Sequence, residues 1–231
     1  MEPALIVALD VPSLEEMENA LDRLPDSIEW YKVGLELFCA VGPDVLKPLK
    51  KRNKKIFLDL KLHDIPRTVA NAVKTAARHG VNLMTVHAIG GRAMLEAAAN
   101  AARECDNPPK LVAVTTLTSL SQDDFVDLGI ERTISEQALA LGELAISSGI
   151  DGMVTSAHEA AALRKRFPEA LLVTPGIRMP DGNVGDQKRV ATPAFAVQQG
   201  SSYLVVGRPI MQADNPSAVT AAILADIKNA P

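Results

Sequence analysis

The chain has 231 residues, 47% of them hydrophobic and 23% charged, which excludes a disordered polymer and allows a sizeable core. Its 24 basic and 28 acidic residues leave a net charge of −4, so bulk charge predicts no nucleic-acid or anionic-membrane partner, and any anion site must be local. Cys39 and Cys105 are isolated thiols without CxxC spacing, the N-terminus has no signal-peptide pattern, and no apolar run nears the roughly 20 residues of a membrane span; a cytoplasmic protein is expected.

In chain order, short and nearly all-apolar runs mark strands at Leu5–Asp10, Glu29–Leu35, Ile56–Leu62, Leu83–Ala88, Leu111–Leu117, Gly152–Thr155, Leu171–Thr174 and Tyr203–Val206. Patterns of helical period lie between them. Leu14, Met17, Leu21 and Leu24 form one apolar stripe after the first strand. Ser13-x-x-Glu16, Thr133-x-x-Glu136 and Ser156-x-x-Glu159 fit the capping box. Thr192-Pro193 and Asn215-Pro216 put a capping side chain before a proline at the first helical position. Eight strands alternating with helices predict an α/β protein, a single-domain (β/α)₈ TIM barrel over residues 1–231. The competing open doubly wound sheet usually carries GxGxxG, and no GxG occurs. Two connections are long, Thr118–Glu131 and Arg178–Ala191; in a barrel both fall on the C-terminal face, where chemistry is placed.

The most informative segment is Phe57-Leu58-Asp59-Leu60-Lys61-Leu62-His63-Asp64. Strand alternation turns Leu58, Leu60 and Leu62 toward helices and Phe57, Asp59 and Lys61 into the barrel. Inward charges near a strand end are costly unless partnered. Asp10 closes the first strand and Lys32 lies within the second, so Lys32, Asp59, Lys61 and Asp64 predict an alternating cation–anion array at one mouth. Asp64 breaks the strand's parity and can approach from another direction or reach a neighbouring subunit. The bland alternative is a buried salt-bridge network that only pins the barrel.

A second signal closes the last strand: Val205-Val206-Gly207-Arg208-Pro209. Glycine permits close backbone approach and arginine supplies a forked donor. With Pro175-Gly176-Ile177-Arg178 and Gly185-Asp186-Gln187 in the seventh loop, it points to a phosphate held between loops seven and eight; the alternative is an ordinary solvated loop. Other features carry less. His158-Glu159 is half of a zinc helix motif, but residue 162 is alanine, and no GxxxxGK[ST] or GxSxG occurs. His87, on the fourth strand, is better explained as a hydrogen-bonded core histidine than as a metal ligand.

Along nearly its whole length the chain resembles orotidine 5′-phosphate decarboxylases of the bacterial type. The resemblance rests on Val7-Ala8-Leu9-Asp10, Lys32-Val33-Gly34, Asp59-Leu60-Lys61-Leu62-His63-Asp64-Ile65-Pro66-Arg67-Thr68, Leu117-Thr118-Ser119, Thr174-Pro175-Gly176-Ile177-Arg178, Gly185-Asp186-Gln187 and Val206-Gly207-Arg208-Pro209-Ile210. It implies a homodimeric barrel that works without metal or organic cofactor and makes uridine 5′-phosphate. It further implies Lys61 as proton donor to C6, Asp59 against the substrate carboxylate, and Lys32 and Asp10 at the ribose. Asp64 and Thr68 would be lent to the partner's site. Thr118 and Ser119 would meet the pyrimidine edge, and Arg178, Gln187, Gly207 and Arg208, with Pro175, the 5′-phosphate. The rivals are a metal-dependent sugar-phosphate decarboxylase or synthase on the same barrel, and a non-catalytic phosphate-ligand binding protein.

Overall fold

The computed structural model describes residues 2–179 and 190–230. Eight strands, β1 (Ala4–Ala8), β2 (Trp30–Gly34), β3 (Lys55–Leu62), β4 (Leu83–His87), β5 (Lys110–Val114), β6 (Gly152–Val154), β7 (Leu171–Thr174) and β8 (Tyr203–Val206), pair in sequence order and close into a barrel. Every pairing is parallel, including β1 with β8. Around it run α1 (Leu14–Arg23), α2 (Leu35–Val41), α3 (Leu46–Lys51), α4 (Pro66–Arg78), α5 (Gly91–Arg103), α6 (Gln122–Asp127), α7 (Ile134–Ser147), α8 (Ala157–Arg166), α9 (Pro193–Gln198), α10 (Arg208–Met211) and α11 (Pro216–Lys228). This is the (β/α)₈ architecture that the alternation of elements predicts.

Strand parity sorts the core into two layers. Ile6, Ala8, Phe57, Leu83, Val112, Val173, Tyr203 and Val205 fill the barrel interior. Their strand neighbours Leu5, Val7, Ile56, Leu58, Met84, Leu111, Ala113, Leu204 and Val206 pack outward among the helices. Both faces of the sheet are thus largely apolar, which is why most strands are near-continuous hydrophobic runs. In α1, Met17 and Leu21 are buried, as the stripe predicts, and its N-cap Ser13 accepts from the Glu16 N–H.

Other helix starts follow their sequence signals. Thr133 and Glu136 form a full capping box on α7, while Thr192 and Asn215 cap α9 and α11 ahead of their first-turn prolines. At α8 the Ser156 hydroxyl bonds the Glu159 carboxylate. Three expectations change. The fifth strand ends at Val114, three residues before Leu117, and the first at Ala8, so Asp10 lies just beyond the strand it was expected to close. Leu9 still donates to the Lys32 carbonyl at 2.9 Å, which holds Asp10 at the barrel rim. Nor is Thr118–Glu131 a plain loop: it contains α6, opened by a Ser121–Asp124 capping box. Aspartate at the third position does the work usually given to Glu or Gln there.

Candidate active site

At the C-terminal mouth lies a cavity of about 670 Å³. Ten of the residues singled out in the sequence line it: Asp10, Lys32, Asp59, Lys61, Thr118, Ser119, Pro175, Arg178, Gly207 and Arg208. Strand parity delivers the first of these. Trp30 points inward on β2 and Tyr31 and Val33 outward, so Lys32 must point inward; on β3, Phe57 does the same for Asp59.

The charges form a chain. Asp10 Oδ1 accepts from Lys32 Nζ at 2.7 Å, Lys32 Nζ lies 3.9 Å from Asp59 Oδ2, and Asp59 Oδ2 lies 2.9 Å from Lys61 Nζ. The Lys61 ammonium also reaches Asp59 Oδ1 at 3.0 Å, so it spans the whole carboxylate. The Lys32 and Asp59 side chains are 10% and 14% exposed, while Lys61 is 32% exposed and faces the cavity. Paired burial avoids the cost of lone buried ions, and the open side of Lys61 is where a ligand can meet it. Gly34 makes room for this arrangement, since a Cβ there would sit 2.7 Å from Lys32 Nζ and 3.0 Å from Asp10 Oδ1.

The expected array needs one correction. Within this chain its outer acid is Asp10, and Asp64 does not join. After Leu62 the chain leaves the strand, and the Asp64 carboxylate turns to the Ile65 N–H at 2.7 Å ahead of α4. Asp64 and Thr68 are both exposed and do not line the cavity of their own chain.

On the opposite rim, Arg178 is buried and donates to the Ile177 carbonyl at 2.8 Å. The ends of the seventh loop are pinned together, with Arg178 N–H donating to the Ala191 carbonyl at 2.9 Å and Ala191 N–H to the Gly176 carbonyl at 3.2 Å. Gln187, with Gly185 and Asp186, lies outside the described residues. Gly207 precedes α10, and a Cβ there would press on Ala8 Cβ at 3.3 Å. Arg208 opens that helix, so one arginine from loop seven and one from loop eight line the cavity.

Two inward threonines that no sequence motif marks also belong to the site. Thr116 carries on the inward parity of Val112 and Val114, and its buried hydroxyl has no hydrogen-bond partner among the described residues. Thr85, fully buried on β4, hydrogen-bonds Asp59 and the Lys61 backbone. The signal was available: a polar residue at an inward position of an otherwise apolar run. His87 ends β4 with no partner for its Nδ1 among the described residues and its ring 5.6 Å from His63. Burial first, then the nearby His63 and Lys61, lower its pKa, so the ring stays neutral at pH 7. Among the described residues no group of three His, Cys, Asp or Glu side chains is placed to hold a metal ion, and no helix is long and apolar enough to cross a membrane. A larger concavity of about 940 Å³ lies at the other end of the barrel, where strands begin, and its Lys74 and Glu104 are ion-paired at 2.6 Å. It lacks the inward charge chain.

Residues 3–223 match the profile of a family described as "Orotidine 5'-phosphate decarboxylase / HUMPS family". A protein of Idiomarina loihiensis named orotidine 5'-phosphate decarboxylase is 47% identical over 226 residues, covering 97% of this chain and 98% of that protein. One of the same name from Moorella thermoacetica is 47% identical over 231 residues, covering 97% of this chain and 92% of that protein. The crystal structure of orotidine 5'-phosphate decarboxylase from Lactobacillus acidophilus superposes with a TM-score of 0.85 at 41% identity, covering 98% of this chain and 99% of that one. These matches span nearly the whole chain, from the first strand to the last helix, and the chain belongs to the orotidine 5′-phosphate decarboxylase / HUMPS family.

Proposed function

We propose that this protein decarboxylates orotidine 5′-phosphate to uridine 5′-phosphate and CO₂, the final step of de novo pyrimidine nucleotide synthesis. One observation carries this reading: an unbroken Asp10–Lys32–Asp59–Lys61 chain at a barrel mouth that Arg178 and Arg208 also line. The two arginines suit a dianionic phosphate, with Gly207 allowing close approach, Pro175 beside it and Gln187 as a further donor. Lys32 and Asp10 hold the ribose hydroxyls, and Thr118 and Ser119 the pyrimidine edge.

The chemistry breaks the bond from C6 to the carboxylate carbon. CO₂ leaves, the electron pair stays on C6, and the Lys61 ammonium gives its proton to that carbon. An ammonium about 4 Å from a unit negative charge contributes roughly 4 kcal/mol at an effective dielectric near 20. That is about three powers of ten in rate, so the charge of Lys61 is one part of the effect. Asp59 faces the substrate carboxylate, and their repulsion is relieved as neutral CO₂ departs. The phosphate grip adds binding energy remote from C6 that aligns the ring.

In this reading residues 1–231 work as one cytoplasmic barrel domain, without metal or organic cofactor, in a homodimer. Each subunit lends Asp64 and Thr68 to its partner's site, which fits the exposure of both residues and of Ile65 between them, 67% exposed. The test is CO₂ release from orotidine 5′-phosphate with and without chelator. Release that persists with chelator is expected. Loss on chelation favours a metal-dependent sugar-phosphate decarboxylase, and tight nucleotide binding with no release favours a binding protein.

A further inference from the structure

β3 and β4 run in register at Phe57↔Leu83 and Leu58↔Met84 and resume at Leu62↔Val86. Three residues of β3, Asp59, Leu60 and Lys61, therefore face the single residue Thr85 of β4. The excess is taken up as a bulge, and Lys61 adopts a left-handed φ of 51°. Bulged residues lose their ladder partners. The Lys61 N–H instead donates to Thr85 Oγ1 at 2.8 Å. A hydroxyl has one proton, and here it goes to Asp59 Oδ1 at 3.1 Å. Thr85 is fully buried, so no solvent competes.

We propose that Thr85 is the positioning residue of the Asp59–Lys61 pair: its single hydroxyl fixes the backbone twist that aims Lys61 and orients the carboxylate beside it. This rests on the decarboxylase reading. The polarity is forced by the contacts, since Lys61 N–H can only donate and the Asp59 carboxylate can only accept. Valine has the same shape but offers neither function, leaving a buried N–H and a carboxylate oxygen short of one bond each. Thr85 touches no reacting atom, so its loss acts on the transition-state geometry and leaves the phosphate grip intact.

The experiment compares wild type, Thr85→Val and Thr85→Ser for kcat, KM, affinity for uridine 5′-phosphate and Tm. Misplacing a catalytic group by about 1 Å can cost about a hundredfold, so kcat of the valine variant should fall by about ten- to a hundredfold. Product affinity should change by less than about threefold, and serine should restore kcat to within about threefold of wild type. The idea is overturned if Thr85→Val keeps wild-type kcat, if it loses product affinity as much as kcat, or if Thr85→Ser is as impaired as valine. If the valine variant does not fold, Thr85→Ser against Thr85→Cys makes the same comparison: active serine with impaired cysteine supports the role, and equal activities overturn it. A wild type that releases no CO₂ fails in a different way, by removing the decarboxylase reading and this inference with it.

Discussion

Lys61→Ala isolates the group on which the proposed chemistry turns. In the folded protein its ammonium lies 2.9 and 3.0 Å from the two Asp59 oxygens and opens on the cavity. Removing it deletes the charge that meets the developing carbanion, worth roughly 4 kcal/mol at 4 Å and an effective dielectric of 20, or about three powers of ten. It also deletes the proton donor, and general acid catalysis is typically worth about another two to four powers of ten. The expected loss in kcat is therefore at least about 10⁵-fold. The fold should survive, since Asp59 keeps Lys32 at 3.9 Å and the Thr85 hydroxyl. Uridine 5′-phosphate has no carboxylate at C6, so its affinity should move by less than about tenfold. The assay pairs release of labelled CO₂ with calorimetric binding of the product. A variant with kcat within about tenfold of wild type would refute the assignment of Lys61 as proton donor.

Four further outcomes are expected. Arg208→Ala should lower kcat/KM for the nucleotide by about tenfold or more, the worth of one or more charge-assisted hydrogen bonds, with little effect on a substrate lacking phosphate; equal losses on both count against a phosphate role. Mixing Asp64→Ala with Lys61→Ala subunits should regain about a quarter of wild-type activity, because half the dimers are mixed and each has one intact site; no recovery after proven subunit exchange means that each site is built from one chain. Gly34→Ala should cut activity, because its methyl group displaces the Lys32 ammonium from Asp10; unchanged kinetics would show that this glycine is not needed for the ion pair. Gly152→Ala should lower Tm, since its Cβ would meet the Leu171 backbone oxygen at 2.0 Å; overpacking costs about 1–3 kcal/mol and each kcal/mol about 2–4 °C in a domain of this size, so an unchanged Tm in thermal unfolding contradicts the clash.

The linear sequence determined the parts of this site that depend on local geometry. Side chains alternate along a strand for covalent reasons, so the inward direction of Lys32 and Asp59 follows from the apolar residues beside them. Helix starts at Ser13, Thr133, Thr192 and Asn215 were likewise legible, because a cap is a contact between near neighbours in the chain. Only the tertiary structure decided the rest. Asp10 meets Lys32 because β1 pairs with β2 in the register Ala8↔Lys32, and sequence spacing does not fix that register. Parity placed Lys61 inward as well, yet its aim depends on a bulge that exists only where β3 and β4 fall out of step. Thr85 gains its two bonds from the same mismatch, while Asp64, the last residue of the charged segment, turns away to the Ile65 N–H. Strand pairing is a contact between distant residues, and its register is set by the packing of the closed barrel.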